Sequence, residues 1–169
     1  FHFGSMDWKP NIQGVEWLIH EVWPLVRKSI SDAELILAGK SMPDSFRSAH
    51  GIKVVGEVDH ASEFLNRPGI MTIPLHSGSG MRVKAIEGMS AGLPTVSTTI
   101  GACGLGLTHK KHALIADSAE EFAQSLIELL RDSKLAKELG MSGKSHIQKN
   151  FSNKLIISKL TAFLDEIKP

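Results

Sequence analysis

From residue 1 to about residue 97, short runs of β-branched, aromatic and aliphatic residues alternate with stretches whose apolar residues recur at helical spacing. That alternation is the sequence form of a parallel sheet with crossover helices, so an α/β, doubly wound parallel sheet with flanking helices is expected. Candidate strands are residues 1–3, 35–38, 53–55, 70–74 and 95–97, with a weaker one at 113–115; several end in glycine, at Gly4, Gly39 and Gly56. The first helix carries Ile12, Val15, Leu18, Ile19, Val22 and Val26, with Pro10 in a first turn that tolerates it. Pro24 removes a backbone donor and predicts a kink or break near that helix's end. A second helix is expected over 81–91, stopped by Gly92-Leu93-Pro94. Beyond Ala116 the chain reads as wholly helical, over 119–130, 135–149 and 153–167. The last of these has an apolar stripe, Leu155, Ile156, Leu160, Phe163, Leu164 and Ile167, that needs a partner surface.

At 169 residues and 42% hydrophobic content the chain has apolar material for one domain with a sizeable core. Its net charge of +1, with both signs interspersed, provides no field that would draw it to nucleic acid or an anionic membrane. The three tryptophans are not interleaved with basic residues as nucleic-acid stacking platforms require; two core anchors and one interface residue are expected. Small molecules are therefore the expected partners. Cys103 is the single cysteine, so no intrachain disulfide forms, and a reducing cytoplasm fits. No apolar stretch approaches the roughly 20 residues that span a bilayer, and no signal segment is visible. The chain starts at Phe1, directly in a strand, and is read as an excised domain.

The most informative segment is Pro74-Leu75-His76-Ser77-Gly78-Ser79-Gly80-Met81-Arg82-Val83-Lys84-Ala85-Ile86-Glu87-Gly88-Met89, ordered as strand, glycine loop and helix. In open parallel sheets ligands bind outside the carboxyl ends of strands, and a glycine loop lets amides at a helix start approach an anion. Arg82 and Lys84 fall in the expected first turn, where cations oppose the helix dipole, and that local cost points to an anionic ligand. Glu87, seven residues beyond Gly80 and so roughly 10 Å along a helix, could accept hydrogen bonds from two hydroxyls of a ribose attached to a bound diphosphate. On spacing alone the segment is equally an ordinary turn, with Lys84 and Glu87 a surface pair.

With Glu87-Gly88-Met89-Ser90-Ala91-Gly92-Leu93-Pro94-Thr95-Val96 appended, this stretch resembles the donor-site signature of family 4 of the retaining glycosyltransferases, whose fold is GT-B. The opening Gly4-Ser5-Met6-Asp7-Trp8-Lys9-Pro10-Asn11, the strand end Leu37-Ala38-Gly39 and Val54-Val55-Gly56-Glu57-Val58 follow the order of that family's carboxyl-terminal, donor-binding domain. The resemblance implies one Rossmann-like half of a GT-B enzyme, spanning residues 1–169. Glu87 matches the second acid of the family's Glu, seven residues, Glu pattern and would hold the donor's ribose. Ser79 stands where the first acid would be, as in a subgroup whose Gly/Ser-rich loop is followed by Arg and Lys. Only Lys9 remains of a basic pair that many members carry after the first strand. The diphosphate role therefore moves to Lys84 and Arg82, assisted by backbone amides of Gly78, Ser79, Gly80 and Met81 and by the Gly4-Ser5 loop. Glu57 and Val58 lie where members grip the nucleotide base through backbone groups.

The activity so implied is hexosyl transfer from a nucleotide sugar to an acceptor hydroxyl in glycan or polysaccharide synthesis, with no metal or other cofactor. Lys84 and Arg82 would stabilise the departing diphosphate, while Glu87 anchors the donor. The acceptor, a glycan or lipid-linked sugar, would be held by an absent domain, leaving this fragment inactive alone; the full protein would be cytoplasmic, at the inner face of the membrane. The last helix would pack toward that domain or mediate self-association. Half of a GT-B-type epimerase or phosphorylase, and a non-catalytic nucleotide-binding α/β module, are the alternatives. Elsewhere, the Gly101-Ala102-Cys103-Gly104-Leu105-Gly106 stretch reads as a mobile connection, His109 and His112 as a solvated turn, and His76 as a surface-loop residue beside the phosphate loop.

Overall fold

The computed structural model describes residues 1–48 and 50–166. Its strands are β1 (His2–Phe3), β2 (Leu35–Ala38), β3 (Ile52–Gly56), β4 (Met71–Ile73), β5 (Thr95–Ser97) and β6 (Leu114–Ile115). They pair in parallel as two three-stranded sheets, β1-β2-β3 and β4-β5-β6. The two meet edge to edge: the Phe1 nitrogen donates to Ile70 O at 2.6 Å and the Thr72 amide donates to Phe1 O at 2.9 Å. One residue bonding to two that flank a position on its neighbour is the parallel pattern. The full strand order is thus β3-β2-β1-β4-β5-β6, the doubly wound arrangement whose connectivity reverses between β1 and β4. The expected α/β fold is what the chain adopts, and the weak sixth strand is real.

Helices cover both faces. On one side α1 (Lys9–Trp17), α2 (Trp23–Ser29) and α6 (Ala119–Arg131) bury Val15, Val26, Phe122 and Leu126 against Leu35, Leu37 and Val96. Trp17 meets Phe122 edge-on with ring centroids 5.2 Å apart, which locks α6 onto α1. On the other side α3 (Ala61–Leu65), α4 (Val83–Ser90) and α7 (Ser133–Phe151) enclose Leu65, Met71, Ile73, Leu75, Ala85, Met89 and Ile147. Strand residues alternate between these clusters because successive side chains leave a strand on opposite faces.

The break expected at Pro24 takes a specific form. Leu18–Val22 is a π-turn, closed by the Trp23 amide donating to Leu18 O, five residues back. A proline cannot donate and its ring collides with the carbonyl four residues earlier, so widening the preceding turn lets the helix run on to Ser29. Side-chain caps define α6 and α7: Ser118 Oγ accepts from the Glu121 amide and Asp132 Oδ1 from the Leu135 amide. Ser118→Ala and Asp132→Ala are each expected to cost about 1 kcal/mol, lowering Tm by roughly 2–4 °C in a thermal melt. The glycines after Thr99 differ from their expected role. Thr98 caps the helical turn α5 (Thr99–Ala102), and Gly101 and Leu105 are buried, so the stretch is packed rather than a free connection.

The final helix, α8 (Asn153–Glu166), exposes Ile157, Leu160, Phe163 and Leu164. The side chain of Ile156 and all of Ile167, also named in its stripe, lie outside the described residues. Among the described residues, no helix is long and apolar enough to cross a membrane.

Candidate functional site

The reversal between β1 and β4 leaves a crevice at the carboxyl ends of those strands, where a parallel sheet with this order binds ligands. A cavity of about 270 Å³ occupies it. That is just below the roughly 300–1,000 Å³ typical of small-molecule sites, a size for part of a large ligand. Its floor is His2, Phe3, Met71, Thr72, Ile73 and Leu75; its walls are Trp8 and Asn11 on one side and Ser79, Met81, Arg82, Val83, Lys84 and Ala85 on the other.

The β1–α1 loop reaches the crevice because Asn11, buried in the first turn of α1, donates from Nδ2 to Ser5 O at 2.7 Å. The opposite wall is the glycine loop. Gly78 has φ +107° and Gly80 φ +86°, values that favour residues without a Cβ. Gly78 also packs so closely on Trp8 that an added Cβ would lie 2.7 Å from the indole.

Arg82 differs most from its sequence-based role. It is not in the first helical turn: α4 starts one residue later, and Arg82 is the N-cap, with φ −83° and ψ 65°. It is buried, and its guanidinium donates to Ser79 O at 3.0 Å, Gly78 O at 3.0 Å and Ile100 O at 3.2 and 3.3 Å. Five donors in a planar fork can satisfy several carbonyls at once, so the side chain holds the glycine loop to the start of α5. These hydrogen bonds all go to the protein's own backbone, while the side chain also lines the cavity.

Lys84 also lines the cavity. Its side chain is half-buried, its Nζ lies 5.4 Å from the centre of the Phe3 ring, and burial pushes its pKa below the ordinary lysine value, with Glu87 opposing that shift. Among the described residues no carboxylate comes within 4 Å of it, so it forms no close pair with Glu87. A partly desolvated ammonium with only a distant carboxylate is unfavourable by itself and gains when an anion arrives. No side chain caps the start of α4, whose first amides contribute further positive potential.

The structure gathers only some of the sequence-derived candidates. Ser79, Met81, Arg82 and Lys84 line the cavity, and Gly4 and Ser5 follow β1, next in sequence to the lining residue Phe3. Gly78 and Gly80 shape the loop without lining the cavity, and exposed Glu87 lies a turn further along α4. Glu57 and Val58 follow β3, two strands away from β1, and are not brought to the cavity. His76 is exposed and rests edge-on against Trp17 at 4.4 Å. His109 and His112 each accept a backbone amide through Nδ1, from Ile115 and Thr108, and among the described residues no group of three metal-ligating side chains occurs.

Sequence reasoning missed His2. It is 4% exposed and bonded through Nδ1 to Thr72 O at 3.2 Å. A carbonyl only accepts, so the proton sits on Nδ1 and Nε2 keeps its lone pair, which has no partner. Burial, with Lys84 nearby, lowers its pKa to about 4, whereas an exposed histidine titrates near 6.5. A histidine neutral in the fold takes up its proton only on unfolding, so stability is expected to fall as pH drops from about 6.5 toward 4. Urea melts across that range check this, and His2→Gln should flatten the profile. The only sequence signal was a polar residue between two phenylalanines.

The comparisons with known proteins agree with this architecture. The chain is 26% identical over 168 residues to an uncharacterized 44.6 kDa protein in a cps region of Klebsiella pneumoniae, covering 93% of this chain and 43% of that protein. It is 26% identical over 93 residues to an uncharacterized glycosyltransferase of Methanocaldococcus jannaschii, covering 54% of this chain and 26% of that one. The chain thus spans less than half the length of these relatives. Among solved structures, Anabaena HepE in complex with UDP superposes with a TM-score of 0.79 at 14% identity, over 98% of this chain and 48% of HepE. The C-terminal domain of the Francisella tularensis group 1 family protein LpcC superposes with a TM-score of 0.73 at 18% identity, over 90% of this chain and 84% of that one. At those identities the structures speak for the fold. Sequence speaks for the family: residues 1–132 match the family described as glycosyl transferases group 1, and the chain therefore belongs to it.

Proposed function

We propose that this chain is the carboxyl-terminal, nucleotide-sugar-binding domain of a retaining glycosyltransferase of the family 4 kind. The observation that carries the reading is Lys84, a half-buried ammonium without a close carboxylate at the cavity of the β1–β4 crevice. The UDP in the HepE complex and the cps-region location of the Klebsiella relative support the same reading. The donor's diphosphate lies between Lys84 and the glycine loop, its ribose reaches Glu87, its base extends toward Glu57 and Val58, and its sugar points to the cavity near Ser79. Transfer of a hexosyl group to an acceptor hydroxyl, in glycan or polysaccharide synthesis, uses a second domain that holds the acceptor. No metal is required, because Lys84 and the first amides of α4 stabilise the charge that develops on the departing diphosphate, an effect worth about 3–4 kcal/mol per pre-organised donor. Arg82 contributes by keeping the loop in place.

A thermal-shift panel with UDP, GDP, ADP and their common sugar conjugates tests the reading. Ligand at about 100 times Kd adds about 2.7 kcal/mol, which for a chain of this size raises Tm by roughly 5–11 °C. No shift with any compound overturns the donor site. Glu87→Gln replaces one accepting oxygen by a donor, and a loss of about tenfold in nucleotide affinity by calorimetry is expected. An unchanged affinity would remove Glu87 from the ribose. Ser79 in the place of the first acid favours a second reading, a non-catalytic nucleotide-binding module. Turnover of donor by the full-length protein decides between them, and the anomeric configuration of the product tests retention.

A further inference from the structure

We infer that Trp8 is a specificity-determining residue, a platform on which the pyranose of the donor lies. The inference rests on the donor-site reading and names a contact within it. Trp8 is 40% exposed, lines the cavity, and packs its indole against Gly78, the residue before Ser79. Ser79 is where the chain lacks the acid that its resemblance to family 4 leads one to expect, so the sugar's wall here is aromatic rather than anionic. The indole packs one part of its surface on the glycine loop and leaves the rest open. It is the N-cap residue of α1, makes no side-chain cap bond, and leaves part of its surface exposed.

A pyranose presents C–H groups of partial positive charge on its flatter face and hydroxyls at its rim. The indole face is electronegative and apolar, matching the first, while Ser79, which lines the same cavity, matches the second. A phosphate gains nothing from such a face, and the base is expected on the far side, toward β3. Trp8 therefore acts on the sugar alone and favours pyranoses with an uninterrupted C–H face.

Calorimetry on the wild-type chain, Trp8→Ala and Trp8→Phe provides the test, with UDP, GDP and ADP and with UDP-glucose, UDP-N-acetylglucosamine, GDP-mannose and ADP-glucose. Trp8→Ala is expected to weaken the sugar conjugate about tenfold while leaving the matching bare diphosphate within about twofold, and Trp8→Phe to keep most of the affinity. A loss shared equally by conjugate and diphosphate, or no loss in either, overturns the platform while leaving the donor site standing. Failure of the wild-type chain to bind any diphosphate or conjugate overturns the donor site and the platform with it. Tm of both variants within about 3 °C of wild type separates loss of contact from loss of fold.

Discussion

Replacing Lys84 with methionine is expected to weaken binding of the cognate nucleoside diphosphate roughly 30- to 150-fold, a loss of about 2–3 kcal/mol. The magnitude follows from the setting of the ammonium. It is already half out of water and without a close carboxylate, so its desolvation cost is present before ligand arrives and its attraction to a diphosphate is weakly screened. Methionine keeps the length and the contact with Phe3 while removing the charge. The same substitution is expected to leave Tm unchanged or slightly raised, because an unfavourably placed cation is removed from the free protein. Opposite signs in calorimetry and in the thermal melt are the signature of a residue kept for its ligand. A variant that binds diphosphate as wild type does would move the anion away from α4.

Arg82→Met should act in the reverse way, through the fold first. The guanidinium satisfies Gly78 O, Ser79 O and Ile100 O from a buried position, and its removal strands those carbonyls beside a void. A cost of about 2–4 kcal/mol is expected, lowering Tm by roughly 5–15 °C. Diphosphate affinity falls with it, because a glycine loop released from α5 samples other conformations. Arg82→Lys recovers only part of either loss, since one ammonium head cannot span carbonyls from two elements. Wild-type stability combined with abolished binding would show that Arg82 meets the anion directly, the role its position next to Lys84 suggests from sequence.

The contrast between these neighbours shows why spacing does not assign function. Arg82 and Lys84 are two residues apart and of like charge and both line the cavity, yet a helix that starts two residues later than expected places Arg82 at the N-cap, bonded to backbone carbonyls, and Lys84 in the first turn. Where the Arg82 side chain goes depends on a partner outside its own helix, the Ile100 carbonyl. His2 is the converse case. In sequence it is a polar interruption of a strand; only pairing β1 with β4 supplies Thr72 O, the burial and the lowered pKa. Trp8 likewise could be assigned to core or interface until the glycine loop folded onto it.

By itself, the sequence determined the alternation of strands and helices, the parallel sheet, and the glycine loop that joins β4 to α4. All of these are encoded within windows of a few to about twenty residues, as periodicity, glycine placement and turn signals. Tertiary structure alone decided the joining of β1 to β4, the closing of the cavity between them, and the different surroundings of Arg82, Lys84 and Trp8. Those depend on contacts between residues as far apart as Phe1 and Thr72, where burial, the geometry of acceptors and the loss of water set what each side chain does, and none of these is a local property of the chain.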